Sequence, residues 1–186
     1  MLLKTEECIF VMIDIQTKLM TAIDSADKVI QCAEALVKTA QLLNIPVITT
    51  EHYPEKIGST VTELSPYRGE VVNKTTFSAV RESIFVETLH KISEAGHRHQ
   101  VLFFGCETHV CVLQSLLDTV QLGNYQCHLI VDACGSRKDS DKTLALTRAK
   151  RAGVSLLSTE MVLFECLESG EHPHFKAVMK LIKSLN

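Results

Sequence analysis

Short runs of consecutive apolar residues alternate along this chain with longer segments whose apolar residues recur every three or four positions, and that alternation restricts the possible folds more than any other feature. Runs too short for helices and apolar throughout read as strands covered on both faces, and the helically spaced segments between them read as the crossovers of βαβ units. The first run is 8–13, followed by a helix whose inward stripe is Val29, Ile30, Ala33, Leu36, Val37, Ala40 and Leu43. Further strands are expected at 47–50, 71–73, 101–104, 128–131 and 154–157. Helices are expected from a Ser83 cap to Ala95 with Gly96 ending it, from Val110 to Leu122, and from an Asp139 or Ser140 cap to Ala152. Right-handed crossovers then place helices on both sides of one sheet. The expectation is a three-layer α/β/α, Rossmann-like domain with a six-stranded, mostly parallel sheet, and with no internal repeat or linker it is a single domain spanning 1–186. Ligands of such sheets bind beyond the carboxyl ends of the strands. The polar stretch 51–69 after the second strand is too long for an ordinary connection, and loops of that length tend to be functional.

Composition removes several classes of partner. Nineteen Lys and Arg stand against 22 Asp and Glu, a formal net charge of -3, with no long run of one sign. A nucleic acid or an anionic membrane surface held by bulk charge is therefore not expected. No apolar stretch approaches the roughly 18 residues needed to span a bilayer. The opening MLLKTEECIFVMIDIQ reads as a first strand rather than a signal peptide. The seven cysteines are odd in number, lie in apolar segments and form no CxxC pair, which points to a reducing, cytoplasmic setting without a disulfide framework or structural zinc. At least six should be inert core thiols.

Three residues fall at the predicted carboxyl edge. Asp14 interrupts the apolar run IFVMI, Lys74 ends the third run in VVNKTTFSA, and Cys111 lies in GCETHVCVLQ at the start of a helix. Taken singly, each has an ordinary reading: a turn-forming Asp, a surface Lys, a buried thiol. Together they form a coherent set. A helix N-terminus and a nearby ammonium both favour a thiolate, which would prime Cys111 as a nucleophile. Asp14 could take the thiol proton, Lys74 could hold the carboxylate, and amides of the 105–111 turn could face a developing oxyanion. Gln16, Phe77, Glu107 and Thr108 are candidates to contact substrate, with Ile15 and Tyr53 as further lining residues. Cys106 is the competing thiol, expected to point into the sheet edge or the bond that follows it rather than to present a free sulfur.

On these residues the chain resembles the isochorismatase-like cysteine hydrolases along nearly its whole length. The resemblance rests on Asp14 and Gln16 in DIQ, on Lys74 in NKTTFSA, and on the GxxTxxCV pattern of Gly105, Thr108, Cys111 and Val112. VDACGSR and EHPHFK look closest to the small isochorismatase domain-containing branch. The resemblance implies an Asp14, Lys74, Cys111 triad that hydrolyses a small amide or related acyl substrate through a thioester-type intermediate. It also implies a cis peptide between Cys106 and Glu107, with the amides of Glu107 and Cys111 lining an oxyanion hole. The nicotinamidase branch carries metal ligands after its second strand, whereas here only Glu51 and His52 occur before His90, so neither a metal nor a cofactor is expected. His109 is read as a solvated helix-end residue.

The expected partner is a small-molecule substrate, and a homo-oligomer is expected from the family resemblance; the apolar repeat Phe175, Val178, Met179 and Ile182 suits packing on a neighbouring subunit as well as on this chain's own sheet. The alternative is a catalytically silent, homo-oligomeric binding or scaffold protein that retains the fold.

Overall fold

The computed structural model describes residues 2–185. Six strands, β1 (Cys8–Ile13), β2 (Val47–His52), β3 (Glu70–Lys74), β4 (Gln100–Cys106), β5 (Gln126–Gly135) and β6 (Ser155–Leu157), form one sheet in the order β3-β2-β1-β4-β5-β6. Every neighbouring pair is parallel. The sheet is therefore wholly parallel rather than mostly so. Every residue of β1 and β4 is buried, as two-sided coverage demands of the central strands.

Among the described residues the helices are α1 (Thr17–Met20), α2 (Ala26–Leu43), α3 (Pro54–Ile57), α4 (Ser83–Gly96), α5 (Leu113–Gln121), α6 (Asp139–Arg151), α7 (Thr159–Leu167) and α8 (Phe175–Lys183). The expected stripe of α2 is buried at Val29, Ala33, Leu36, Val37 and Ala40, while Ile30 and Leu43 are only half-buried. The chain runs outward from β1 to β3, then returns to β4 and runs the other way, so right-handed crossovers change face at the reversal. Accordingly α2 packs with α7 and α8, and α5 packs with α6. The apolar repeat in α8 seats Val178 and Ile182 in this chain's own core beside α2 and α7.

Several ends differ from the expected ones for local reasons. Gly96 was expected to stop α4, but His97 takes the left-handed position there, with φ of 51°. Lys74 lies inside β3, paired in register with His52. The segment 51–69 is less of a loop than expected, because β2 continues through His52 and α3 adds a short turn of helix.

All seven cysteines are free and buried. His128, near the start of β5, is also buried, only 6% exposed, and neither ring nitrogen has a hydrogen-bond partner. Burial lowers its pKa from an ordinary 6.5 to about 4. A base with a depressed folded pKa is protonated first in the unfolded chain, so acid favours unfolding. Its neutral form is no liability above pH 6.5; stability then falls as pH drops toward 4, by about 3 kcal/mol in all. Urea denaturation from pH 7 to 4 is expected to show that loss in wild type and a correspondingly shallower one in His128→Leu.

Candidate active site

The reversal of strand order between β1 and β4 opens the carboxyl edge of the sheet where a doubly wound fold places its ligands. Asp14 follows β1 directly, in a left-handed conformation with φ of 48°, and its N–H donates to Thr50 O at 3.1 Å. Its carboxylate is fully buried. Thr50 Oγ1 donates to Oδ1 at 2.6 Å, and Lys74 Nζ lies 2.6 Å from Oδ2. Lys74 also donates to Thr76 O at 3.2 Å. Three adjacent strands thus supply one group each: the carboxylate from the end of β1, the hydroxyl from β2 and the ammonium from β3.

The sulfur comes from the other side of the reversal. Gly105, with φ of 125°, sits against β1 so closely that a Cβ would lie 2.0 Å from Ile13 O. The glycine lets β4 keep its register with β1 at the point where the site begins. The peptide bond between Cys106 and Glu107 is cis. The chain then enters a wide turn, Thr108–Val112, in which Val112 N–H donates to Glu107 O and Leu113 N–H to Thr108 O, both five residues back. Such π turns inside or at the start of helices are frequent at functional sites. Cys111 lies in this turn and is 6% exposed.

The expectation of a thiolate primed at rest requires correction. Burial is the largest influence on Cys111 and pushes the thiol up to about 12, with the Asp14 charge adding to the rise. Lys74 acts in the opposite direction. Helix and ammonium do not outweigh desolvation, so the resting group is a thiol next to a carboxylate. Any nucleophilic role needs proton transfer to a base. Cys106 is fully buried, with Sγ 3.6 Å from Met20 Sδ.

The other candidates divide. Gln16 is buried: Oε1 accepts from His52 N–H at 2.7 Å, and Nε2 donates to His52 O at 3.0 Å and to Gly58 O. Expected against substrate, it is committed instead to fixing the segment after β2. Thr108 Oγ1 donates to Gly135 O at 3.0 Å, and the Glu107 carboxylate accepts from Arg137 N–H at 3.0 Å and Nε at 3.1 Å. Those two side chains brace the turn. Phe77 is 53% exposed, three residues beyond Lys74. His109, expected in solvent, is half-buried with Nδ1 3.0 Å from Ser136 Oγ, because the π turn directs it toward the end of β5.

Sequence reasoning missed Thr50 and weighed His52 only as a metal ligand. Both are placed by the pairing of β2 with its neighbours, and the only signal was the polar TTEH at a strand end. Glu51, weighed as a metal ligand, is instead satisfied by Thr60 N–H at 2.8 Å and Thr60 Oγ1 at 2.7 Å. Among the described residues no group of three or more His, Cys, Asp or Glu gathers as a metal site would require.

Comparison with known proteins identifies the family. The model of the isochorismatase domain matches residues 8–161. Isochorismatase domain-containing protein 2A of Mus musculus is 35% identical over 179 residues, covering 96% of this chain and 84% of the mouse protein. Among solved structures, a protein described as MAR1 ribonuclease from Caenorhabditis elegans superposes with a TM-score of 0.89 at 31% identity, covering 98% of this chain and 93% of that one. The YcaC gene product of Escherichia coli, described as an octameric hydrolase of unknown specificity, shares the fold with a TM-score of 0.84 at 21% identity, over 100% of this chain and 98% of that one. With the domain match covering most of the sequence and relatives aligned along nearly all of it, this chain belongs to the isochorismatase-like hydrolases, in the branch of small isochorismatase domain-containing proteins.

Proposed function

We propose that the protein is a cysteine hydrolase of small amides or related acyl compounds, with Cys111 as nucleophile, Asp14 as proton carrier and Lys74 as the charge that holds the carboxylate in place. The observation that carries this reading is the buried Asp14–Lys74 pair at 2.6 Å, with both members acting on the one thiol in the π turn. A buried ion pair is a weak source of stability and is more readily understood as a device for chemistry.

The reaction begins from the neutral thiol. As Sγ bonds to the substrate carbonyl carbon, its proton passes to Asp14, and the carbonyl oxygen gains charge facing the Glu107 and Cys111 amides. Collapse of that adduct breaks the carbon–nitrogen bond and the leaving amine takes the proton from Asp14. Water then adds to the thioester, again giving its proton to Asp14, and the acid departs as Sγ recovers a proton. Lys74 stays charged throughout, offsetting the carboxylate whenever it is ionised. In keeping with the octamer described for the YcaC relative, the working form is proposed to be a homo-oligomer.

The structure supplies its own control. Cys127 is 7% exposed and also pushed up to about 12, by burial alone, whereas Cys111 matches it in exposure and acidity but has the Asp14–Lys74 pair. Alkylation by iodoacetamide at pH 7, mapped by peptide mass spectrometry, is expected to be about 100-fold faster at Cys111, the usual size of general-base assistance. Asp14→Asn should remove that advantage. Equal rates at the two thiols would favour the silent scaffold.

A further inference from the structure

The proposed chemistry leaves an aromatic cluster beside Lys74 without a task. His52 closes β2 opposite Lys74 in the parallel register. Its imidazole is tilted 33° to the Phe77 ring with centroids 5.5 Å apart, and the Tyr53 ring meets it edge-on at 4.9 Å. Phe77 contributes a large apolar face to solvent, being 53% exposed. His52 is held at both backbone groups by Gln16, so its ring starts from a fixed base. Its Nδ1 is buried without a hydrogen-bond partner, which native structures rarely leave unexplained. Burial first, and then the Lys74 charge, keep its pKa below the ordinary value, so the ring is neutral at pH 7.

We propose that His52 and Phe77 form a specificity wall at the Cys111 site, which selects substrates whose acyl group is flat and uncharged. This inference rests on the hydrolase reading above and names its substrate class. Two rings inclined at a small angle favour a third planar group in offset or edge contact, whereas a saturated ring of the same carbon count is thicker and has no π face to offer. A carboxylate on the acyl group would find the Lys74 ammonium already paired with Asp14 at 2.6 Å and would approach the buried Asp14 charge.

The test compares benzamide, cyclohexanecarboxamide and terephthalamate (4-carbamoylbenzoate) on the full chain, with dissociation constants from ligand-observed NMR. Benzamide is expected to bind about 10-fold tighter than either of the other two. Its advantage over cyclohexanecarboxamide should fall to within about 2-fold in Phe77→Ala and in His52→Ala, and persist in His52→Phe, which keeps a flat ring. Equal binding of benzamide and cyclohexanecarboxamide by wild type, or a preference that survives both alanine substitutions, overturns the wall. Because the NMR measurement does not involve thiol reactivity, a failed alkylation contrast between Cys111 and Cys127 would remove the nucleophile while the binding ratio still decides on the wall.

Discussion

Cys111→Ala is expected to abolish turnover of every small amide or ester that the wild-type protein hydrolyses, a loss of about 10⁴-fold or more, as befits removal of a covalent nucleophile. A panel screen run on both proteins in parallel, with an RNA oligonucleotide included because of the ribonuclease description of the C. elegans relative, reads the result directly. Cys127→Ala provides the control, since it deletes a comparably buried thiol at the start of β5, away from the reversal. Losing one sulfur from the π turn should cost little stability, so an inactive but folded variant is the expected product. Turnover that survives the substitution would show that the sulfur is not the attacking atom. A shift of activity to RNA cleavage unaffected by the substitution would refute the acyl-hydrolase reading altogether.

The second large effect concerns the ion pair. The side chains of Lys74 and Asp14 are 0% and 1% exposed, so neither can turn to solvent when its partner is removed. Lys74→Met is therefore expected to lose about 3 to 5 kcal/mol of stability, the usual cost of leaving one member of a buried pair unpaired. Asp14→Asn combined with Lys74→Met removes both charges while an amide oxygen can still accept from Thr50. The double variant should recover most of that stability and none of the activity. Urea denaturation with an unchanged m-value measures both differences. A single variant that loses less than about 1 kcal/mol, the range of exposed pairs, would mean that water reaches the pair in solution.

What could be read from the sequence, and what could not, follows from the range of the interactions involved. β1 has its expected limits because six apolar residues in succession admit little else. β5 extends to Gly135, well past the expected 131, because a bulge between Leu129 and Cys134 lets the polar VDACG segment rejoin β4. The helix α7 escaped notice because TEMVLFECL is apolar on most sides, packing one face on α2, α8 and β5 while Met161 and Phe164 stay exposed, and so lacks the one-sided rhythm that betrays a surface helix. At the site, Asp14, Lys74 and Cys111 were legible as chemistry-bearing residues at strand or helix ends. The acidity of Cys111 was not, because desolvation depends on what the rest of the fold stacks around the sulfur. Gln16 was misjudged for a similar reason: only the pairing of β1 with β2 brings His52 within its reach.

The grip of Gln16 has a consequence for how molecules come and go. One amide ties the chain beyond β1 to His52 and to Gly58, so a flap made from that side would have to break these bonds at every cycle. That flank therefore serves as a fixed doorpost.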